Sequence, residues 1–396
     1  STTDVNEFTA TQLGALSVTQ LNALGAGNLA EIDATKIAGL TATQLGGLTS
    51  TNLSALTGTQ VEELTTTQLR GLTATQVGGL SSADFGELSG TQLSSLLASQ
   101  VGALSVTNLS DLDATGFEAF SETQIKGLTA TQLRGLTAAD IADFADTQLS
   151  ALSPTQVAAI SATAISELTA TQMEAFSPTQ IKSLTATQLK GLTTTDIGEL
   201  ATTQVAALSA SQISSMTADQ ISALDKTQFG ELSATQIKAL TVTQLRGLTE
   251  TDIGDLNVTQ VGALSASQIS GMPTTAIAAL VDTQIQALST TQLKAINPAQ
   301  MKELSTTDLD EFTTTQIASL TSTQIGALST TTIASLATTQ VDLLTSTQIG
   351  GLTLTQIDVL TATNIASMDE TQIAGFTMVQ AQSFDADQTE AYMGPH

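Results

Sequence analysis

An octapeptide, seen cleanly in Ser177–Leu192 as SPTQIKSL followed by TATQLKGL, sets the terms for everything this chain can fold into. The pattern [S/T]-x-T-Q-[I/L/V]-x-x-L runs from Ser1 to Tyr392 with no insertion or deletion, which is 392/8 = 49 octads. A strict period of this kind marks a repeat architecture rather than a globular domain. With octad positions numbered 1 to 8, position 8 is apolar or aromatic in all 49 octads, and position 5 is a large apolar residue in 47. The two failures, Ala381 and Thr389, fall in the last two octads. All ten Phe occupy position 5 or 8, so large side chains are confined to two slots and one continuous core is expected.

The local chemistry predicts a short helix in each octad. Position 1 is Ser, Thr, Asp or Asn in 42 octads and position 4 is Gln in 34. A hydroxyl followed three residues later by Gln is a capping box, in which each side chain satisfies the other residue's backbone N–H. Positions 5 and 8 then share one helical face. Pro154, Pro178 and Pro298 sit at position 2, the first helical residue, where a missing N–H costs nothing. Of 28 Gly, 22 lie at positions 6 or 7, which predicts a loosened last turn before the next cap.

Two other folds compete. One long helix would need an apolar stripe every 4.0 residues, far from the natural 3.6. A β-solenoid is favoured by Thr, Ile and Val and by the recurring T-x-T. Apolar spacings of 3 and 5 break the alternation of a strand, however. The expected fold is therefore all-α: a solenoid of 49 very short helices around a continuous Leu/Ile/Val/Phe core, with a β-solenoid as the alternative.

A longer period lies above the octad. Position 4 is Asp or Asn at Asn28, Asp84, Asp140, Asp196, Asp252, Asp308 and Asn364, each seven octads from the next. The bases keep the same interval at position 6, in one series Arg70, Lys126, Lys182, Lys238 and Lys294 and a second Arg134, Lys190, Arg246 and Lys302. Acids recur at position 7 in Glu31, Glu87, Asp143, Glu199, Asp255 and Glu311. The chain reads as seven 56-residue units of seven octads, consistent with duplication and with a whole number of superhelical turns per unit. If 3.5 octads complete a turn, two apolar side chains per octad fill the interior. Seven per turn would leave a void that packed interiors do not tolerate. Turns about 9 Å apart would then give a single rod, residues 1–392, on the order of 130 Å long. The last two octads read as a polar C-terminal cap and residues 393–396, with the lone His396, as a tail. The first octads keep the full apolar pattern, which leaves that end open to another copy or a preceding domain.

Little in the composition points to chemistry. There are 37 Asp and Glu against 11 Lys and Arg, a net charge of −26, which disfavours nucleic acid and anionic membranes. The absence of Cys excludes disulfides and thiolate metal sites. No apolar run approaches the roughly 18 residues of a membrane helix. The chain begins without Met or a signal peptide and reads as a processed product or a piece of something longer. No catalytic triad, phosphate loop or metal motif is present, so no enzyme, cofactor or small-molecule substrate is expected. The column Asp84, Asp140, Asp196, Asp252 and Asp308 is a candidate for cations, set against the simpler reading that Asp suits the positive end of a helix dipole.

The T-x-x-Q-[ILV]-x-x-L octad resembles repetitive segments of large bacterial secreted or cell-surface proteins of the adhesin and filament type, over residues 1–392. The resemblance implies an extracellular structural protein and transfers no functional residue. The expectation is a rod or filament subunit that associates with itself end to end or laterally. The alternative is a repetitive binding rod for glycan, ice or cations, which should show one invariant column of exposed side chains.

Overall fold

A computed structural model describes residues 5–395; Ser1–Asp4 and His396 lie outside the described residues. The octad Thr129–Leu136 shows how the sequence becomes structure. Thr129 is extended, its hydroxyl accepts from the Gln132 N–H at 3.2 Å, and Gln132 Oε1 accepts from the Thr129 N–H at 2.7 Å. The helix Ala130–Gly135 follows, and Leu136 and Thr137 are both extended again. Two extended residues, at positions 8 and 1, therefore turn the chain between successive helices. The described residues contain 48 such helices from Ala10 to Met393, four to eight residues long, and no strand. The protein is an all-helical repeat solenoid, as the capping boxes predict. Pro154, Pro178 and Pro298 each open a helix at its first residue.

Helices this short are unstable alone and exist only because they stack. The chain forms two compact units, Ser1–Leu200 and Ala201–His396. Within each unit, a helix packs against the one three octads further on. Ala42–Gly46 against Thr66–Gly71 is an example in the first, and Ala210–Ser215 against Ala234–Ala239 in the second. The glutamine at position 4 reaches back four octads, so each helix lies over the gap between two helices of the turn below. The register is 28 residues per turn: Gln132 bonds to Leu104 in the first unit and Gln244 to Met216 in the second. Since 28/8 = 3.5, this is the narrow winding that the two apolar slots can fill. Position 5 is sealed, with Leu133, Ile141, Ile237 and Leu245 all at 0% exposure, and position 8 nearly so. Phe117 and Phe144 meet across adjacent turns with ring centroids 5.0 Å apart.

Glycine has a different role from the loosened turn expected of it. Gly25 is the one described residue at positive φ, so the chain does not need glycine to change direction. Position 7 instead lies where successive turns touch, as do some position 6 glycines such as Gly46 and Gly78, whereas Gly86, Gly230 and Gly254 at position 6 face open space. A Cβ on Gly71 would sit 2.6 Å from the Ala42 Cβ, on Gly247 2.6 Å from the Ala218 Cβ, and on Gly351 2.6 Å from the Ser322 carbonyl oxygen. In each pair, position 7 meets position 2 of the octad three back. Small residues there let one turn settle on the next.

The last two octads differ, as their polar sequence implies. Ala381 and Thr389 are half-buried, and Phe376, Phe384 and Tyr392, all at position 8, form an aromatic group with centroids 5.1–6.0 Å apart. The last helix, Ala386–Met393, runs one residue into the stretch read as tail.

Two substitutions separate core from cap. Leu128→Asp places an unpaired charge at a position 3% exposed and is expected to destabilise by roughly 3–5 kcal/mol. Thr129→Ala removes one N-cap and is expected to cost about 1 kcal/mol. Thermal melts followed by circular dichroism measure both; equal, mild effects would contradict a shared core.

Candidate functional site

The most organised polar chemistry in the protein is the position 4 glutamine. The side chain is buried, with Gln60 and Gln100 at 1% exposure. Its two amide ends face different turns. At Gln100, Oε1 accepts from the Leu97 N–H at 2.7 Å, while Nε2 donates to the carbonyls of Leu69 and Leu72, both at 2.8 Å. Those carbonyls, 31 and 28 residues earlier, belong to the end of a helix one turn below. A helix leaves its first N–H groups and last C=O groups without intrahelical partners. One amide thus satisfies the N-terminus of its own helix and the C-terminus of another. Gln188, Gln268 and Gln356 repeat the arrangement with Nε2 bonds of 2.8–2.9 Å. The capping box made the first half of this legible; the second half depends on which turn lies below.

This clamp explains the candidate cation column. Asp84, Asp140, Asp196, Asp252 and Asp308 stand where glutamine otherwise stands, and each carboxylate accepts the N–H of its own N-cap residue, at 2.6–3.3 Å. Carboxylates carry no N–H, so the donor must come from below. Ser110 Oγ donates to Asp140 at 2.9 Å and Ser222 Oγ to Asp252 at 2.7 Å, both from 30 residues earlier. At these two positions the clamp is kept with donor and acceptor exchanged; below Asp84 and Asp196 the equivalent Ser54 and Ser166 donate to the Gly79 and Thr163 carbonyls instead, and Ala278 stands below Asp308. Consecutive members of the column are seven octads apart, which is two turns, so the structure does not stack them on neighbouring turns. Among the described residues no three His, Asp or Glu side chains gather where they could hold a metal ion.

The intervening turns on the same side carry other departures from glutamine. Asn108 on such a turn, and Asn364 at the end of the seven-octad series itself, are one methylene shorter and reach only the position 8 carbonyl, at 3.2 Å. Thr332 Oγ1 reaches the same carbonyl of Leu304 at 3.3 Å. Asn52, Asp84, Asn108, Asp140, Ala164 and Asp196 thus make a weakly clamped seam in the first unit, and Asp252, Ala276, Asp308, Thr332 and Asn364 make one in the second. Sequence periodicity showed the seven-octad series; the weaker tie between turns follows only from the register.

The position 2 to position 7 contact also brings charges together. Lys226 Nζ lies 2.9 Å from Asp255 Oδ1, three octads on. The same register puts Asp282 beside Glu311. Burial, the hydrogen bond to Asp282 and the charges of Asp282, Asp308 and Asp310 push the Glu311 carboxyl up to about 7, and its buried Oε2 has no partner. Gln340 from the turn above gives its Nε2 to Asp310 at 2.9 Å instead of to a carbonyl. The nine bases of the two position 6 series are exposed, and none is in an ion pair among the described residues. Position 3, Thr in 39 of 49 octads, is exposed in every described octad. No described helix is long and apolar enough to cross a membrane.

Comparison with known proteins is consistent with this architecture. The family described as the ALTTAQ repeat matches residues 293–330 and 302–338, which marks the chain as a repeat protein. No curated protein matches it. Among solved structures, the leucine-rich repeat-containing protein LegL7 of Legionella pneumophila aligns at 17% identity over 66% of this chain and 78% of that one, with a TM-score of 0.17.

Two measurements test these contacts. Gln100→Met leaves the Leu97 N–H and two carbonyls without their partner and is expected to cost roughly 2–4 kcal/mol in a melt, whereas Leu97→Ser adds a missing cap and should stabilise by about 1 kcal/mol. The raised Glu311 means that the folded state holds its proton more tightly than the unfolded chain, whose ordinary value is 4.5. Stability from this group is complete below that value and is lost as pH rises through about 7. Glu311→Gln should melt like the parent at acidic pH and at a higher temperature at pH 8; parallel pH profiles would exclude the pair as a titrating unit.

Proposed function

We propose that the protein is structural: a repeat scaffold serving as a spacer or subunit of a rod or filament outside a bacterial cell or on its surface, and not an enzyme. One observation carries this reading. The repeated side chains are spent on joining turns to each other. Positions 5 and 8 fill the core, positions 1 and 4 tie helix ends, and positions 2 and 7 set the spacing between turns. A scaffold of this design changes length by whole octads without altering any contact type. The resemblance of the octad to adhesin- and filament-type repeats and the lack of Cys support the extracellular setting. The continuity of the octads supports one scaffold over residues 1–392.

A second reading rests on position 3. Its threonines are exposed and needed neither for the core nor for the caps, so they are the near-constant exposed position of the octad, which a binding rod for glycan or ice could present on every face.

Negative-stain microscopy and solution scattering of the purified protein separate the outcomes. The scaffold reading expects a rod or polymer; a compact globule would overturn it. Soluble glycan that binds the parent and not a variant with Thr235, Thr243, Thr251 and Thr259 changed to Val would instead favour the binding rod.

A further inference from the structure

Winding at 3.5 octads per turn rotates each octad by 360/3.5, about 103°, from the one before, and octads seven apart face the same way. The solenoid therefore has seven faces, and each seven-octad series is confined to one of them. Sorting the charged residues by face separates the signs. The series Arg70, Lys126, Lys182 lies on one face of the first unit and Arg134, Lys190 on another; Lys238, Lys294 and Arg246, Lys302 do the same in the second. The face between them is made of octads such as Leu97–Leu104, Ser153–Ile160, Ser209–Met216 and Ser265–Met272, and none of its octads carries a charge. These three adjoining faces hold nine of the 11 bases and only Glu122, Glu303 and Asp358 of the 37 acids. The other 33 acids among the described residues lie on the opposite four faces, most densely on the face of Asp84, Glu87, Glu199 and Glu250.

Segregation of this kind has a consequence for the bases. With acids in more than threefold excess, each lysine or arginine would be expected to find an intramolecular partner. Lys226, on the acidic side, does so. The nine on the far side are exposed and have no ion pair among the described residues, although Arg246 Nε donates to the Gly271 carbonyl at 2.9 Å. We infer that, in each unit, the neutral strip flanked by these bases is a lateral docking surface for the acidic face of a second copy of this chain. The partner follows from pitch as well as sign. Within each unit, bases and facing acids both repeat every seven octads, two turns, so the basic side of one unit matches the acidic face of a unit in a second copy without axial shift. An unrelated polyanion would need no such match, and the net charge of −26 repels it at long range.

This inference rests on the scaffold reading and predicts a distinctive salt response. At very low salt the net charges repel over tens of ångströms; near 0.1 M that range falls to about 10 Å and local face-to-face pairs dominate; at 1 M, about 3 Å, those are screened too. Sedimentation of the parent should show at least a doubling of mass near 0.1 M salt that is absent at both extremes.

Two variants complete the test. Changing Arg70, Lys126, Lys182, Lys238 and Lys294 to Glu, all exposed at position 6, should give a monomer at every salt. Changing Glu31, Glu87, Glu199 and Glu250 to Lys should do the same. The two variants mixed should form a complex, since one keeps the acidic face and the other the basic face. Circular dichroism checks that both remain helical; should either unfold, the parent's salt curve decides alone. A parent that is monomeric near 0.1 M, or whose association rises steadily to 1 M salt, overturns the inference. So does binding of heparin to these bases with no self-association. A monomer that is nevertheless elongated would sink the lateral contact and leave the scaffold reading standing; a globule would sink the scaffold reading.

Discussion

A helix of five or six residues has more unsatisfied backbone groups at its ends than hydrogen bonds in its middle. The 48 such helices among the described residues can be stable only if those ends are paired with something. The position 4 glutamine supplies the pairing, because its amide carries an acceptor and a donor on one rigid plane. The acceptor closes the capping box at 2.7–3.0 Å and the donor closes the helix beneath, as at Gln132 with Val101 and Leu104. Burying an unpaired amide would be costly, so its burial is itself a constraint on the register. A turn slipped by one residue would strand every glutamine at once.

The half-integral winding follows from this constraint and organises the rest. With 3.5 octads per turn, the N-terminus of one helix meets the C-terminus of another rather than its N-terminus, which is the arrangement in which donors face acceptors. Like positions therefore recur in space only every second turn. A seven-octad repeat is the shortest whole-octad sequence unit that gives each face of the solenoid its own composition. The chain uses that freedom. One side carries the seam where glutamine gives way to Asp, Asn, Ala or Thr, together with most of the acids, and the far side carries the bases. At Asp140 with Ser110 and at Asp252 with Ser222 the acceptor placed above is answered by a donor below.

Charge pairs at the seam have unequal value. The Lys226–Asp255 pair is largely exposed on the lysine side and contributes little to stability. The Asp282–Glu311 pair, formed by the same three-octad contact of position 2 with position 7, places two acids together and ties that turn's stability to pH. Identical geometry thus gives attraction in one place and proton uptake in another, decided by a single residue at position 2.

The sequence alone determined the local structure and the core. Capping depends on residues three apart, and amphipathic placement on residues three and five apart, so the helix in Thr129–Leu136, the buried Leu133 and Leu136 and the N1 prolines could all be read from neighbours along the chain. The winding was bounded by the volume of two side chains per octad. What only the tertiary structure decided are contacts between residues three and four octads apart, for which no local rule exists. Gln100 reaches Leu69 and Leu72 rather than solvent, Gly71 is small because Ala42 lies against it, and Asp140 accepts from Ser110 of the turn below. The physical reason is that a short-range pattern fixes what each octad buries. The partner of each buried polar group is fixed only when the turn beneath it is in place.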